Sequence, residues 1–157
     1  GGARLAEQLN PRTKLGAKTK AALEGEPWDF VILQEMSHGP ISSPQSFFTS
    51  VKRLCEWIRA KGATAVLFAT WAYEKGGAKL ADKGWDYEDM ARQLSDAYRQ
   101  AAQENHALLA EVGQRFYGLS PTHLLYSADG VHPNETGSQL AAEVIAKTLL
   151  THKELTP

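Results

Sequence analysis

The sequence is 157 residues long, enough for one domain with a sizeable core. Apolar residues make up 43% and charged residues 22%, and the formal net charge is −1 with no basic block, which argues against nucleic acid as the main partner. No apolar run nears the roughly 18–20 residues of a membrane span, and Cys55 stands alone, which excludes a disulfide framework and a multi-cysteine metal site.

In chain order, Gly1-Gly2-Ala3-Arg4 opens the sequence without an initiator Met or a leader-like segment, and no compartment follows from it. Ala3 to Gly25 carries scattered apolar positions and reads as loop with one or two short helices. Trp28 to Leu33 is a short apolar run closed by Gln34-Glu35, the pattern of a buried parallel strand. A loop from Met36 to Ser43 leads to Pro44, suited to the first turn of a helix with Ser43 as N-cap. Phe47, Val51, Leu54 and Ile58 form one face of that helix, Cys55 reads as a buried thiol on it, and Gly62 stops it. Thr64 to Ala69 is a second strand, Thr70 to Trp85 a long polar loop, and Asp86 to Asn105 a helix. Ala107 to Val112 is a third strand, Gly113 to Ala128 irregular, and Ser138 to Leu150 the last helix. Helices between short apolar strands predict an α/β chain in three layers (αβα) with a mostly parallel sheet, one domain over residues 1–157.

The run Asp129-Gly130-Val131-His132-Pro133-Asn134 carries the most chemistry. An Asp three residues before a His, on a turn tightened by Gly130 and Pro133, brings a carboxylate within reach of an imidazole. That is what a general base needs, because the carboxylate fixes the tautomer and stabilises the imidazolium. In open α/β sheets ligands bind beyond the carboxyl ends of the strands. Gln34 to His38 and Thr70-Trp71 are expected at such ends, on a rim shared with Asp129 and His132.

Asp-x-x-His-Pro before a last helix resembles the fifth sequence block of the SGNH (GDSL-like) ester hydrolases. Trp28-Asp29-Phe30-Val31-Ile32-Leu33-Gln34-Glu35-x-Ser37 is similar to a Trp-Asp-Tyr-Val-Val-Leu-Gln-Glu-x-Ser stretch in a mostly bacterial branch of that superfamily. Gly1 to Leu5 resembles the second block, so the resemblance covers nearly the whole chain. It implies the flavodoxin-like SGNH fold and a serine ester hydrolase, acting on small acyl (such as acetyl) esters of carbohydrates without a cofactor. His132 would be the base and Asp129 its orienting partner. The Gly2 N–H and the Gln34 side chain would hold the oxyanion, with Gln34 standing where the superfamily has Asn.

The family's first block, a strand followed by Gly-Asp/Asn-Ser, does not occur in the sequence, and its Ser is the nucleophile. The resemblance therefore implies a chain lacking its first strand and helix, on the order of 30–45 residues. An apolar edge beside Val31 and Leu33 would then be exposed. Three readings stay open: the missing piece lies elsewhere, the chain pairs with a copy of itself as a homodimer, or the domain is inactive. A different class, a non-catalytic glycan-binding module, would use Trp71, Tyr73 and Trp85.

Ser37 follows a strand end but lacks the Gly-x-Ser-x-Gly elbow, so with His38 it reads as the start of a turn that touches substrate. Trp71 joins them as a substrate-binding candidate, although aromatic residues at strand ends more often cover a core. Glu35 is expected in a salt bridge or at a helix N-terminus. His106, His123 and His152 read as structural or surface residues, and no metal is assigned, since Asp129, His132 and His38 set no particular geometry.

Overall fold

The computed structural model describes residues 2–155; Gly1, which opens the second-block resemblance, lies outside the described residues. Its elements run α1 (Leu5–Gln8), α2 (Lys14–Gly25), β1 (Phe30–Leu33), α3 (Gly39–Ser42), α4 (Pro44–Ala60) and β2 (Thr64–Phe68). There follow α5 (Ala78–Lys83), α6 (Tyr87–Asn105), β3 (Leu108–Ala110), α7 (Val112–Leu119) and α8 (Glu135–Leu155). The chain forms two compact units, Gly1–Phe68 with Ala97–Leu109, and Ala69–Asp96 with Ala110–Pro157.

In the first unit β1 and β2 pair in parallel, Phe30 opposite Thr64 through Leu33 opposite Leu67. The sheet order is β1-β2-β3, so among the described residues β1 is paired along one edge only. Helix α4 packs against β2, and its spaced Phe47, Val51, Leu54 and Ile58 are all buried as their periodicity predicts. Burying each such side chain contributes about 2 kcal/mol. Phe47 also meets Tyr98 of α6 edge to face, with ring centroids 5.1 Å apart. Cys55, 1% exposed, lies on the same helix; burial pushes its thiol up to about 11.

β1 and β2 have similar sequences and different fates. Val66 and Leu67 are fully buried, whereas Ile32 is 44% exposed. Along β1 runs an apolar groove of about 530 Å³, lined among others by Leu5, Leu23, Trp28, Ile32, Gln34 and Ile58.

The second unit is built around Phe116 of α7, which is fully buried. Trp71 stacks on Phe116 at 4.2 Å, and Tyr126 meets the same ring edge to face at 5.7 Å. Helix α8 packs against α7 and buries Leu140 and Ala141. Gly137, in its first turn, is required by close approach, because a Cβ there would lie 2.3 Å from the Leu125 carbonyl.

Several element bounds differ from the sequence expectation, among them the loop from Met36 to Ser43, which contains α3, and the third strand, which is shortened to Leu108–Ala110. Helix α8 begins at Glu135 rather than Ser138, because the Asn134 Oδ1 accepts the Gly137 N–H and caps it. The stretch from Thr70 to Trp85 contains α5, closed by Gly84 in the left-handed conformation. Residues from Val112 form a regular helix, α7, rather than irregular chain.

Candidate functional site

Asp129 and His132 sit on a loop whose bonds are mostly its own. Asp129 Oδ1 accepts the backbone N–H groups of Val131 and His132, both at 2.9 Å. Its Oδ2 lies 2.6 Å from His132 Nδ1. Gly130 between them adopts φ +64°, a left-handed conformation that glycine takes without strain. The Ser127 N–H bonds the His132 carbonyl at 2.8 Å, and Tyr126 forms an isolated antiparallel bridge with Pro133. Asn134 closes the loop, donating through Nδ2 to the Leu124 carbonyl while it caps α8.

Two contacts brace the loop from the segment after β2. Trp71 Nε1 donates to the Val131 carbonyl at 2.9 Å, and the Glu74 N–H donates to the Gly130 carbonyl at 2.8 Å. Tyr126 reaches the same segment, its hydroxyl donating to the Ala72 carbonyl at 2.9 Å. Burial raises the Tyr126 phenol, which keeps it a donor.

The bond to His132, followed by those from the Val131 and His132 amides, holds the Asp129 carboxyl down to about 2. At neutral pH Asp129 is therefore an anion that can only accept, so His132 Nδ1 carries the proton of the shared bond. In the neutral ring Nε2 is then the base, and the side chain is 69% exposed. Chemically the pair can take a proton from a hydroxyl and return it to a leaving group.

Of the other expected site residues, Gly2, Gln34, Ser37 and His38 lie in the first unit and Trp71 in the second. Gln34 directly follows β1, is exposed and lines the apolar groove. Gly2 is exposed at φ +74°. Ser37 and His38 are half-buried in the turn before α3, where the Gly39 N–H bonds the Met36 carbonyl at 2.8 Å. His38 Nδ1 lies 2.9 Å from Ser42 Oγ, which also donates to the His38 carbonyl.

Glu35 meets a helix N-terminus, as one of its two expected fates. It is 4% exposed and accepts the Leu5 N–H on Oε2 at 3.1 Å and the Met36 N–H on Oε1 at 3.0 Å. Trp71 has one ring face against Phe116 and its N–H on Val131, while Tyr73 is buried and Trp85 half-buried. The bracing by Trp71 and Glu74 escaped sequence reasoning because each spans more than 50 residues and leaves no local signal. Among the described residues no group of three His, Cys, Asp or Glu side chains is placed to hold a metal ion, and no helix is long and apolar enough to cross a membrane.

Residues 4–140 match the model of the GDSL-like Lipase/Acylhydrolase family. A candidate SGNH hydrolase from Slackia heliotrinireducens is 51% identical with a TM-score of 0.90, the match covering 95% of this chain and 80% of that one. More distant likenesses, which concern the fold alone, include LAE5, an α/β hydrolase enzyme from the metagenome of Lake Arreo (16% identity, TM-score 0.68, 94% and 68% coverage). A catalytic variant of Axe2, an acetylxylan esterase from Geobacillus stearothermophilus, is 14% identical with a TM-score of 0.66 over 94% of this chain and 68% of that one. No curated protein matches the chain. These likenesses give the chain the three-layer α/β fold with a parallel sheet.

Proposed function

The chain belongs to the GDSL-like lipase/acylhydrolase family, the SGNH hydrolases, and we propose that it is the base-bearing part of a serine ester hydrolase acting on small acyl esters of carbohydrates. The observation that carries this reading is the 2.6 Å contact between Asp129 and His132 with the carboxylate held ionised.

In the proposed reaction a serine from outside residues 1–157 attacks the ester carbonyl carbon while His132 Nε2 takes its proton. The tetrahedral intermediate collapses, and the imidazolium returns the proton to the departing alkoxide, leaving an acyl-serine. Water then attacks by the same route, and the carboxylic acid leaves. Asp129 keeps the ring in the tautomer with Nδ1–H and offsets the imidazolium charge. The Gly2 N–H and the Gln34 amide donate to the developing oxyanion, and one such donor is typically worth about 3–4 kcal/mol. Ser37, His38 and Trp71 are assigned to the substrate side. The β1 edge that no described strand covers supports the outside serine, because an added strand that carried it could pair there. A second copy pairing along that edge is the competing arrangement, and the oligomeric state of the chain separates the two. The acetyl-carbohydrate preference is proposed from the fold likeness to the acetylxylan esterase.

The test is His132→Ala in the protein that includes the serine-bearing segment, assayed on acetylated oligosaccharides and nitrophenyl acetate. Turnover should fall by at least about 10³-fold with the fold intact; retained turnover would sink the reading. The 157-residue chain alone should be nearly inactive. Robust turnover by it, abolished in Ser37→Ala, would make Ser37 the nucleophile.

A further inference from the structure

Glu35 is a buried carboxylate that the proposed chemistry does not use. It is 4% exposed, and among the described residues no lysine, arginine or histidine pairs with it. Burying a charge without a counter-charge is costly unless hydrogen bonds replace its hydration. Here both oxygens are spent on backbone amides: Oε2 on the Leu5 N–H at the start of α1, and Oε1 on the Met36 N–H just after β1. The Glu35 N–H itself reaches the Tyr98 hydroxyl at 3.4 Å. Gly39 presses on the side chain so closely that a Cβ there would stand 2.5 Å from Glu35 Cγ and 2.8 Å from Oε1. The carboxylate is therefore fixed on three sides.

What it joins is more informative than how it is held. Leu5 lies three residues after Gly2, and Glu35 directly follows Gln34, so one side chain ties together the two stretches that carry both oxyanion donors. Leu5 and Gln34 also line the same groove. An oxyanion hole needs its two donors at a fixed spacing, and an error of about 1 Å can cost as much as 10²-fold in rate.

We propose that Glu35 is the positioning residue of the oxyanion hole, setting the spacing between the Gly2 N–H and the Gln34 amide. It touches no substrate. The proposal rests on the assignment of Gly2 and Gln34 to the oxyanion.

The informative variant is Glu35→Gln in the protein that includes the serine-bearing segment. Gln keeps the size but turns one acceptor into a donor that opposes a backbone N–H. The expected result is a fall in kcat of about 10–100-fold with KM within about twofold. Affinity for an alkyl boronic acid, which presents a tetrahedral anion to the hole, should fall in parallel. Gly39→Ala provides a second route, because its methyl group displaces the carboxylate without changing its chemistry, and it should show the same selective loss. If Glu35→Gln does not fold, Gly39→Ala decides the matter. A folded variant with unchanged kcat and boronic acid affinity overturns the proposal, as does a loss confined to KM. His132→Ala and Gln34→Ala in the same background keep the two failures apart. Undiminished turnover in both sinks the underlying reading, whereas losses there beside an unaffected Glu35→Gln sink only the positioning role.

Discussion

The loop around Asp129 and the end of β1 around Gln34 both carry polar groups assigned to one reaction, yet they are fixed by different means. Asp129 and His132 are three residues apart and bond each other, their own amides and Ser127. The loop would keep much of its geometry from local bonds alone, with Trp71 and Glu74 as outside braces. Gln34 and Gly2 are 32 positions apart, exposed, and joined through the bonds of Glu35 to Leu5 and Met36. A proton-transfer pair can be encoded by one short motif, because both partners ride on one turn. A hole made by two donors from distant segments needs tertiary structure to exist at all.

The largest effect that would sharpen this contrast is expected from Asp129→Asn in the serine-containing protein. The Asn Oδ1 can still accept the Val131 and His132 amides, so the loop should keep its shape. The new NH₂ would face Nδ1 and drive the ring to the wrong tautomer. We expect kcat to fall by about 10³–10⁴-fold with little change in Tm; a large loss of Tm with it would mean that the loop is not self-supporting. Gln34→Ala comes next. Steady-state kinetics should show kcat lower by about 10²–10³-fold at constant KM. A raised KM at constant kcat would move Gln34 to substrate positioning and break the parallel between the two regions.

Trp71→Phe tests the outside brace more gently. It keeps an aromatic face for Phe116 and deletes the Nε1 bond to Val131, with an expected cost of about 1 kcal/mol in stability and a few-fold to about tenfold loss in kcat. Thermal unfolding together with kinetics reads both. The smallest effect is one of pH. The Asp129 carboxyl is lowered from 3.8 to about 2, so its hold on the loop is complete above the ordinary value and is lost as pH falls through about 2. The amide shifts of Val131 and His132 followed by NMR should therefore titrate together, with a midpoint near 2. A midpoint at the ordinary carboxyl value would detach the carboxylate from the loop.

The parts visible in the sequence are those decided locally. The apolar runs of β1 and β2 and the four-three-four spacing on α4 announce themselves as elements, and β2 and α4 are buried as their patterns predict. Of β1, expected as a buried strand, only Leu33 is buried, because no described strand covers its outer edge. The Asp129–His132 pair is legible because both partners ride on one turn. Helix α5 is six residues long with one buried side chain, Leu80, which leaves no stripe to detect. The start of α8 at Glu135 depends on the Asn134 cap and on the close approach of Gly137 to the Leu125 carbonyl, neither of which shows in the apolar spacing that begins at Leu140. The burial of Ile32 and Val66 could not be told apart from composition, since both lie in apolar strands and only the neighbours differ. The Trp71 brace and the Glu35 tie are tertiary, and no spacing rule reaches across 60 or 30 residues.

Cys55 turns the first unit into its own clock. It is the one cysteine in the sequence, it is 1% exposed, and its thiol is held near 11, so an alkylating reagent at neutral pH meets almost no thiolate until α4 lifts away from the sheet. The rate of labelling then reports how often that helix opens. With excess reagent and fast capture, it gives the opening rate directly. Because α4 carries Phe47, Val51, Leu54 and Ile58, the same count of labelled molecules over time measures the life span of this core under any condition in which the loop and strand-end variants are compared.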